Sequence, residues 1–118
     1  MHTNYLLKFK ELQISKNELS DKLGENLLML KIDEPIKIYA KDVINLLNAF
    51  RNNSITINHL IDWVNTVWFS ELFDYEDSEC DSIASVLNKL EDLDEDGREL
   101  TKLNINDYII ALSNNREI

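Results

Sequence analysis

The residues best placed to do chemistry are carboxylates, and the most suggestive group of them is Asp92-Leu93-Asp94-Glu95-Asp96-Gly97. It reproduces the first half of an EF-hand calcium loop, with side-chain oxygens at positions 1, 3 and 5 and a glycine at the sharp turn. The second half fails. Position 8, normally apolar so that it can pair with a second loop, is Glu99, and position 12, where a bidentate carboxylate closes the coordination sphere, is Leu103. No neighbouring stretch repeats the pattern. The better reading is a solvated acidic loop over Asp94–Arg98, with Gly97 left-handed at a helix end.

The other candidates for chemistry are weaker. Cys80 lies in a run of carboxylates, which disfavours the thiolate that a nucleophile needs. The two histidines are His2, at the start of the chain, and His59, in the first turn of an expected helix. A zinc site needs about four N or S ligands, and these three scattered residues do not supply them. Carboxylate pairs for acid–base catalysis can always be drawn in so acidic a chain. A catalytic acid, however, needs an apolar pocket to hold its proton, and these acids cluster among polar residues. The sequence therefore predicts a protein that is not an enzyme and needs neither metal nor cofactor.

The distribution of charge is more telling than its total. The formal net charge is −10. Between Glu71 and Glu99 stand twelve carboxylates opposed only by Lys89 and Arg98, so this segment carries −10 and the remainder sums to zero. Such a pole repels nucleic acid and anionic lipid and attracts basic surfaces. The expected partner is thus a protein with a basic surface. The single cysteine, the absence of a membrane-length apolar run and an opening without a signal-peptide pattern together predict a cytoplasmic location.

These acids must be positioned by helices, because apolar periodicity is helical almost throughout. Tyr5, Leu6, Phe9 and Leu12 mark a first short helix. Ser15 and Glu18 have capping-box spacing and open a second, with Leu19, Leu23, Leu27 and Leu30 on one stripe. Pro35 interrupts the pattern, and the alternation Ile36-Lys37-Ile38 allows a minor β-hairpin near residues 28–39. From Ala40 a helix carries Val43, Leu46, Leu47 and Phe50 and ends at Arg51–Ser54. Thr56 can cap the next, with Ile57, Leu60, Ile61, Val64 and Trp68 facing inward and Trp63 off that stripe. Asp81 or Ser82 starts a helix through Ile83, Val86, Leu87, Leu90 and Leu93, and Asn104 caps a last one carrying Tyr108, Ile109 and Leu112. One-sided helices bury their stripes only against each other. The expectation is an all-α fold, a compact bundle of about five or six helices forming a single domain over residues 1–118, with 113–118 a fraying tail.

Trp63, Trp68, Phe69, Phe73 and Tyr75 run directly into the first acids. Rings interleaved with carboxylates make interface anchors, and equally they can cap a core under a long connection. The pattern Asp42-Val43-Ile44-Asn45-Leu46-Leu47, followed by Ser54-Ile55-Thr56 and Leu60-Ile61-Asp62-Trp63-Val64-Asn65, resembles the helical immunity proteins of bacterial toxin–immunity systems, including those of contact-dependent inhibition. The resemblance extends over about Ala40 to Leu112 and involves no catalytic signature.

It implies a cytosolic monomer that binds one cognate toxin domain, often a nuclease, in a 1:1 complex and blocks its active site. The residues expected at that interface are Asp74, Tyr75, Glu76, Asp77, Glu79 and Asp81, with Asp92, Asp94, Glu95 and Asp96 as a second patch. The alternatives are an acidic helical adaptor for a basic segment of a non-toxin protein, and a calcium-responsive protein using the loop at Asp92.

Overall fold

The structure, a computed structural model, describes residues 2–23, 35–69, 72–96 and 100–117. Among these are six α-helices: α1 (His2–Lys10), α2 (Lys16–Leu23), α3 (Ala40–Arg51), α4 (Ile57–Phe69), α5 (Cys80–Asp96) and α6 (Lys102–Ser113). Two three-residue strands, β1 (Ile36–Ile38) and β2 (Phe73–Tyr75), and a 3₁₀ turn over Asp77–Glu79 complete them. The fold is a mostly helical bundle with a minor β element. No helix among the described residues is long and apolar enough to cross a membrane.

The strand expected at Ile36–Ile38 is present, and among the described residues its partner is a distant strand. β1 pairs in parallel with β2, with Ile36 beside Phe73, Lys37 beside Asp74 and Ile38 beside Tyr75. Residues 28–34, where a hairpin's first arm would lie, fall outside the described residues. Parallel strands require a long crossover, and here α3 and α4 supply it. The period-two rule then sorts the side chains. Ile36, Ile38 and Phe73 are buried, whereas Asp74 is exposed and Lys37 is half-exposed. Phe73 lies 6.0 Å, centroid to centroid, from Phe9 of α1.

The core joins Leu6 and Phe9 of α1, Leu19 of α2, and Val43, Leu46 and Leu47 of α3 to residues of α4, α5 and α6. Its largest fully buried side chain is Trp63, which the sequence pattern places off the stripe. On α4 the buried set is Leu60, Trp63, Val64 and Val67, which also follows i, i+3, i+4, i+7. The helix has two overlapping apolar stripes, and packing against α5 and α2 selects this one. Trp68, expected inward, is half-buried instead. Burying an indole requires an acceptor for its N–H. Trp63 Nε1 donates to the carbonyl of Lys10 at 3.3 Å, one of the acceptors that the end of α1 leaves unpaired.

Helix ends explain how so glycine-poor a chain turns so often. Ser15 and Glu18 form the expected capping box, each backbone N–H donating to the other's side chain at 3.2 Å. His59 N donates to Thr56 Oγ1 at 3.1 Å, as expected of a cap. At α6 the cap is Thr101 rather than Asn104. Asn104 N donates to Thr101 Oγ1 at 3.1 Å, so Asn104 fills the third position of the helix and its amide oxygen accepts from Thr101 N in return.

Three helices end with a left-handed residue, Leu12, Asn53 and Asn115, and in each the next N–H reaches back five residues. These bonds run from Gln13 to Lys8, Ser54 to Ala49 and Arg116 to Ala111, each 2.8 Å. Asparagine tolerates that conformation. Leu12 does so at a cost of about 1–2 kcal/mol, offset by packing its side chain on the core. Past Ser113 the chain is tied to the start of α5: Asn115 Nδ2 donates to Ser78 O at 2.8 Å and its Oδ1 accepts from Ser82 Oγ at 3.1 Å.

The start of α3 carries a nearly buried ion pair. Lys10 Nζ lies 3.3 Å from Asp42 Oδ2 and donates to Lys37 O at 3.2 Å, tying α1, β1 and α3 together. Asp42 also accepts from Tyr39 N at 2.8 Å. Each charge sits at the helix end whose dipole favours it, lysine in the last turn of α1 and aspartate in the first turn of α3. Removing one partner strands the other charge in a dry site. Replacement Asp42→Ala is expected to lower unfolding free energy by about 3 kcal/mol, measured by urea denaturation.

Candidate functional site

The first acidic cluster occupies one continuous path: β2, the 3₁₀ turn and the first turn of α5. The strand pairing fixes where this path begins, and the Asn115 clamp on Ser78 and Ser82 fixes where it enters α5. Ser82 is itself buried, so the first turn of α5 is held against the end of α6.

The structure divides the six expected residues of this cluster into two kinds. Asp74, Asp77 and Asp81 are exposed. Glu76, Glu79 and Tyr75 are half-buried and engaged with the protein itself. Glu76 lies 3.7 Å from the ammonium of Lys37 on β1. Glu79 Oε1 accepts from Ala40 N at 3.1 Å, across a separation of 39 residues. It therefore serves the first turn of α3, where Tyr39 precedes the helix and has no carboxylate or hydroxyl oxygen suited to the usual cap. Tyr75 stacks on Trp68, with centroids 6.4 Å apart and planes 30° from parallel. Burial raises the Tyr75 phenol pKa far above its ordinary value, and neighbouring Cys80 and Asp74 act in the same direction. Phe73 belongs to the core, while Tyr75 is partly accessible beside the exposed acids.

The second cluster is placed differently from the expectation. α5 continues to Asp96, so the backbone of Asp92, Asp94, Glu95 and Asp96 is helical and the expected loop from Asp94 is displaced. The side chains of these four residues lie outside the described residues, as do residues 97–99 with Gly97. Leu103, at the position where a calcium loop would close, belongs to α6 and is 70% exposed. Among the described residues, no three of His, Cys, Asp and Glu converge as a metal site would require.

The path ends at an open groove of about 360 Å³ beside α5. Asp81, Ala84, Ser85 and Asn88 form one wall, following i, i+3, i+4, i+7 on the outer face of the helix, and Trp68 forms another. Lys89 and Glu117 complete the lining. Sequence reasoning found Asp81 alone among these. The polar stripe on the outer face of α5 is visible in the sequence, but Glu117 lies in the segment expected to fray, which the Asn115 clamp holds at α5.

No family model, curated protein or solved structure matches the chain. The reading of this surface therefore rests on its own charge and geometry.

Two measurements separate structural from free groups here. Glu79→Ala is expected to cost about 1 kcal/mol of stability by loss of a charge-assisted cap, detectable as a lower thermal midpoint. For Tyr75, both folded and unfolded chains hold the phenol neutral below pH 10, so it contributes no pH dependence there. Above that the unfolded chain ionises first, and stability falls by up to about 1.4 kcal/mol per pH unit. Tyr75→Phe is expected to flatten this decline between pH 10 and 11 in urea titrations, whereas an unchanged slope would show that Tyr75 is not the group responsible.

Proposed function

We propose that this chain is an immunity protein that binds a cognate bacterial toxin domain and masks the toxin's basic active-site surface, without chemistry of its own. The observation that carries this reading is the unspent charge of the β2–α5 path. Glu76 and Glu79 are occupied within the fold, but Asp74, Asp77 and Asp81 stand exposed on one short path, in the segment that bears the whole net charge of the protein.

A nuclease is the toxin class that this surface suits best. A nuclease must hold a phosphate backbone, so its groove is lined with lysine and arginine. Carboxylates of the inhibitor mimic the phosphates, and the half-buried Tyr75 adds apolar area beside them. A segregated charge also steers the encounter before contact, so association is fast and slows as salt screens it. The helical resemblance over Ala40–Leu112 points the same way, toward action in the cytoplasm as a monomer in a 1:1 complex.

The test is co-expression with the product of the adjacent gene. That product alone is expected to arrest growth, and this protein to restore it. The triple variant Asp74→Lys, Asp77→Lys, Asp81→Lys is expected to fold by circular dichroism and lose protection. For the purified pair, the association rate should drop about tenfold or more between low and high salt. A harmless neighbour, or full protection by the triple variant, would sink the proposal.

A further inference from the structure

We infer that the groove between Trp68 and α5 is a socket for one arginine side chain of the partner, an inference that takes its partner from the masking function proposed above. The lining argues for a cation. Asp81 and Glu117 set two carboxylates against the single ammonium of Lys89, and Asn88 adds an amide oxygen. The volume of about 360 Å³ corresponds to on the order of ten waters, enough for a long side chain with some of its hydration. Ala84 leaves the wall low between Asp81 and Asn88, so an aliphatic stem has a place to lie along α5.

The groove has a direction. Asp81 lies in the first turn of α5 and Lys89 about two turns further on, which is about 12 Å along the axis. The Asn115 clamp on Ser78 and Ser82, two residues before Glu117, anchors the chain near the Asp81 end. A cationic head is drawn to that end and repelled from the other. The positive end of the helix dipole lies there too, but it amounts to about half a charge and is outweighed by the carboxylates.

The choice of arginine over lysine follows from Trp68. An indole face accepts a planar guanidinium by stacking, and the guanidinium's fork can serve two carboxylates at once. The ring contact between Trp68 and Tyr75 restrains the indole, so little side-chain freedom is lost when a cation arrives. This also gives the stacked pair a role that neither core packing nor the exposed acids requires.

The experiment is a titration of the full chain, by amide and indole NMR shifts, with N-acetyl-arginine methylamide, its lysine counterpart and its uncharged citrulline counterpart. The Trp68 indole N–H signal is expected to move saturably with the arginine probe while that of buried Trp63 stays fixed. The citrulline probe should bind about tenfold or more weakly, and the lysine probe about threefold more weakly. Asp81→Asn with Glu117→Gln should weaken arginine binding about tenfold, whereas Asp21→Asn with Asp107→Asn, the same change in net charge elsewhere, should leave it unaltered. Equal binding of the citrulline probe, a silent Trp68, or an unaffected Asp81/Glu117 variant would overturn the socket. If that variant neutralises the toxin as well as the wild type, the socket is wrong and masking stands. If the arginine probe seats beside Trp68 but the neighbouring gene product is harmless, masking fails and the socket survives it.

Discussion

Parallel pairing of Ile36–Ile38 with Phe73–Tyr75 is the constraint on which the arrangement turns. Three-residue strands paired in parallel are too short to stand alone and must be covered. Cover comes from Phe9 of α1 against Phe73, and from Trp68 of α4 against Tyr75. The Lys10–Asp42 pair fastens the same corner, with Lys10 reaching the carbonyl of Lys37 on β1 while Asp42 holds the start of α3. Without the ladder the start of the acidic segment would lose its fixed course, because β2 is one half of it.

This corner also decides which acids of the first cluster are engaged by the fold and which stay exposed. A carboxylate that caps a helix or pairs with a lysine is held by the fold and contributes to stability; one left in water contributes potential and little else. Glu79 and Glu76 are of the first kind and Asp77 and Asp81 of the second, while Asp74 is exposed and accepts from the adjacent Tyr75 N at 2.9 Å. The same segment therefore stabilises the protein with part of its charge and presents the rest. Aromatic residues divide likewise, with Phe73 and Trp63 buried and Trp68 and Tyr75 stacked at the edge of the groove.

Local rules were legible wherever a helix is amphipathic on one stripe or capped by neighbours in sequence. The Ser15/Glu18 box, the Thr56 cap, the end of α3 at Asn53 and the stripe of α5 all follow from spacing. Errors arose where two local solutions were equally good. Thr101 and Asn104 are both competent caps, and each serves in one reciprocal box that begins three residues earlier than expected. On α4 the stripe containing Trp63 and the stripe containing Trp68 have the same period, and only the neighbours packed against the helix distinguish them. Three of the candidate interface acids, Asp94, Glu95 and Asp96, read as a loop from their charge and the following glycine, yet α5 carries their backbone.

What the sequence determined by itself was composition, helical class and the concentration of −10 charge between Glu71 and Glu99, since these depend on residue identity and short-range spacing. What only tertiary structure decided was the destination of each charge and ring. Pairing of residue 37 with 74, capping of Ala40 by Glu79 and clamping of Ser78 by Asn115 join positions 37 to 39 residues apart. Such contacts depend on chain closure over long loops and on the mutual burial of several helices, which no local pattern encodes. The acids were visible from the start; which of those in the first cluster stay exposed was settled by packing.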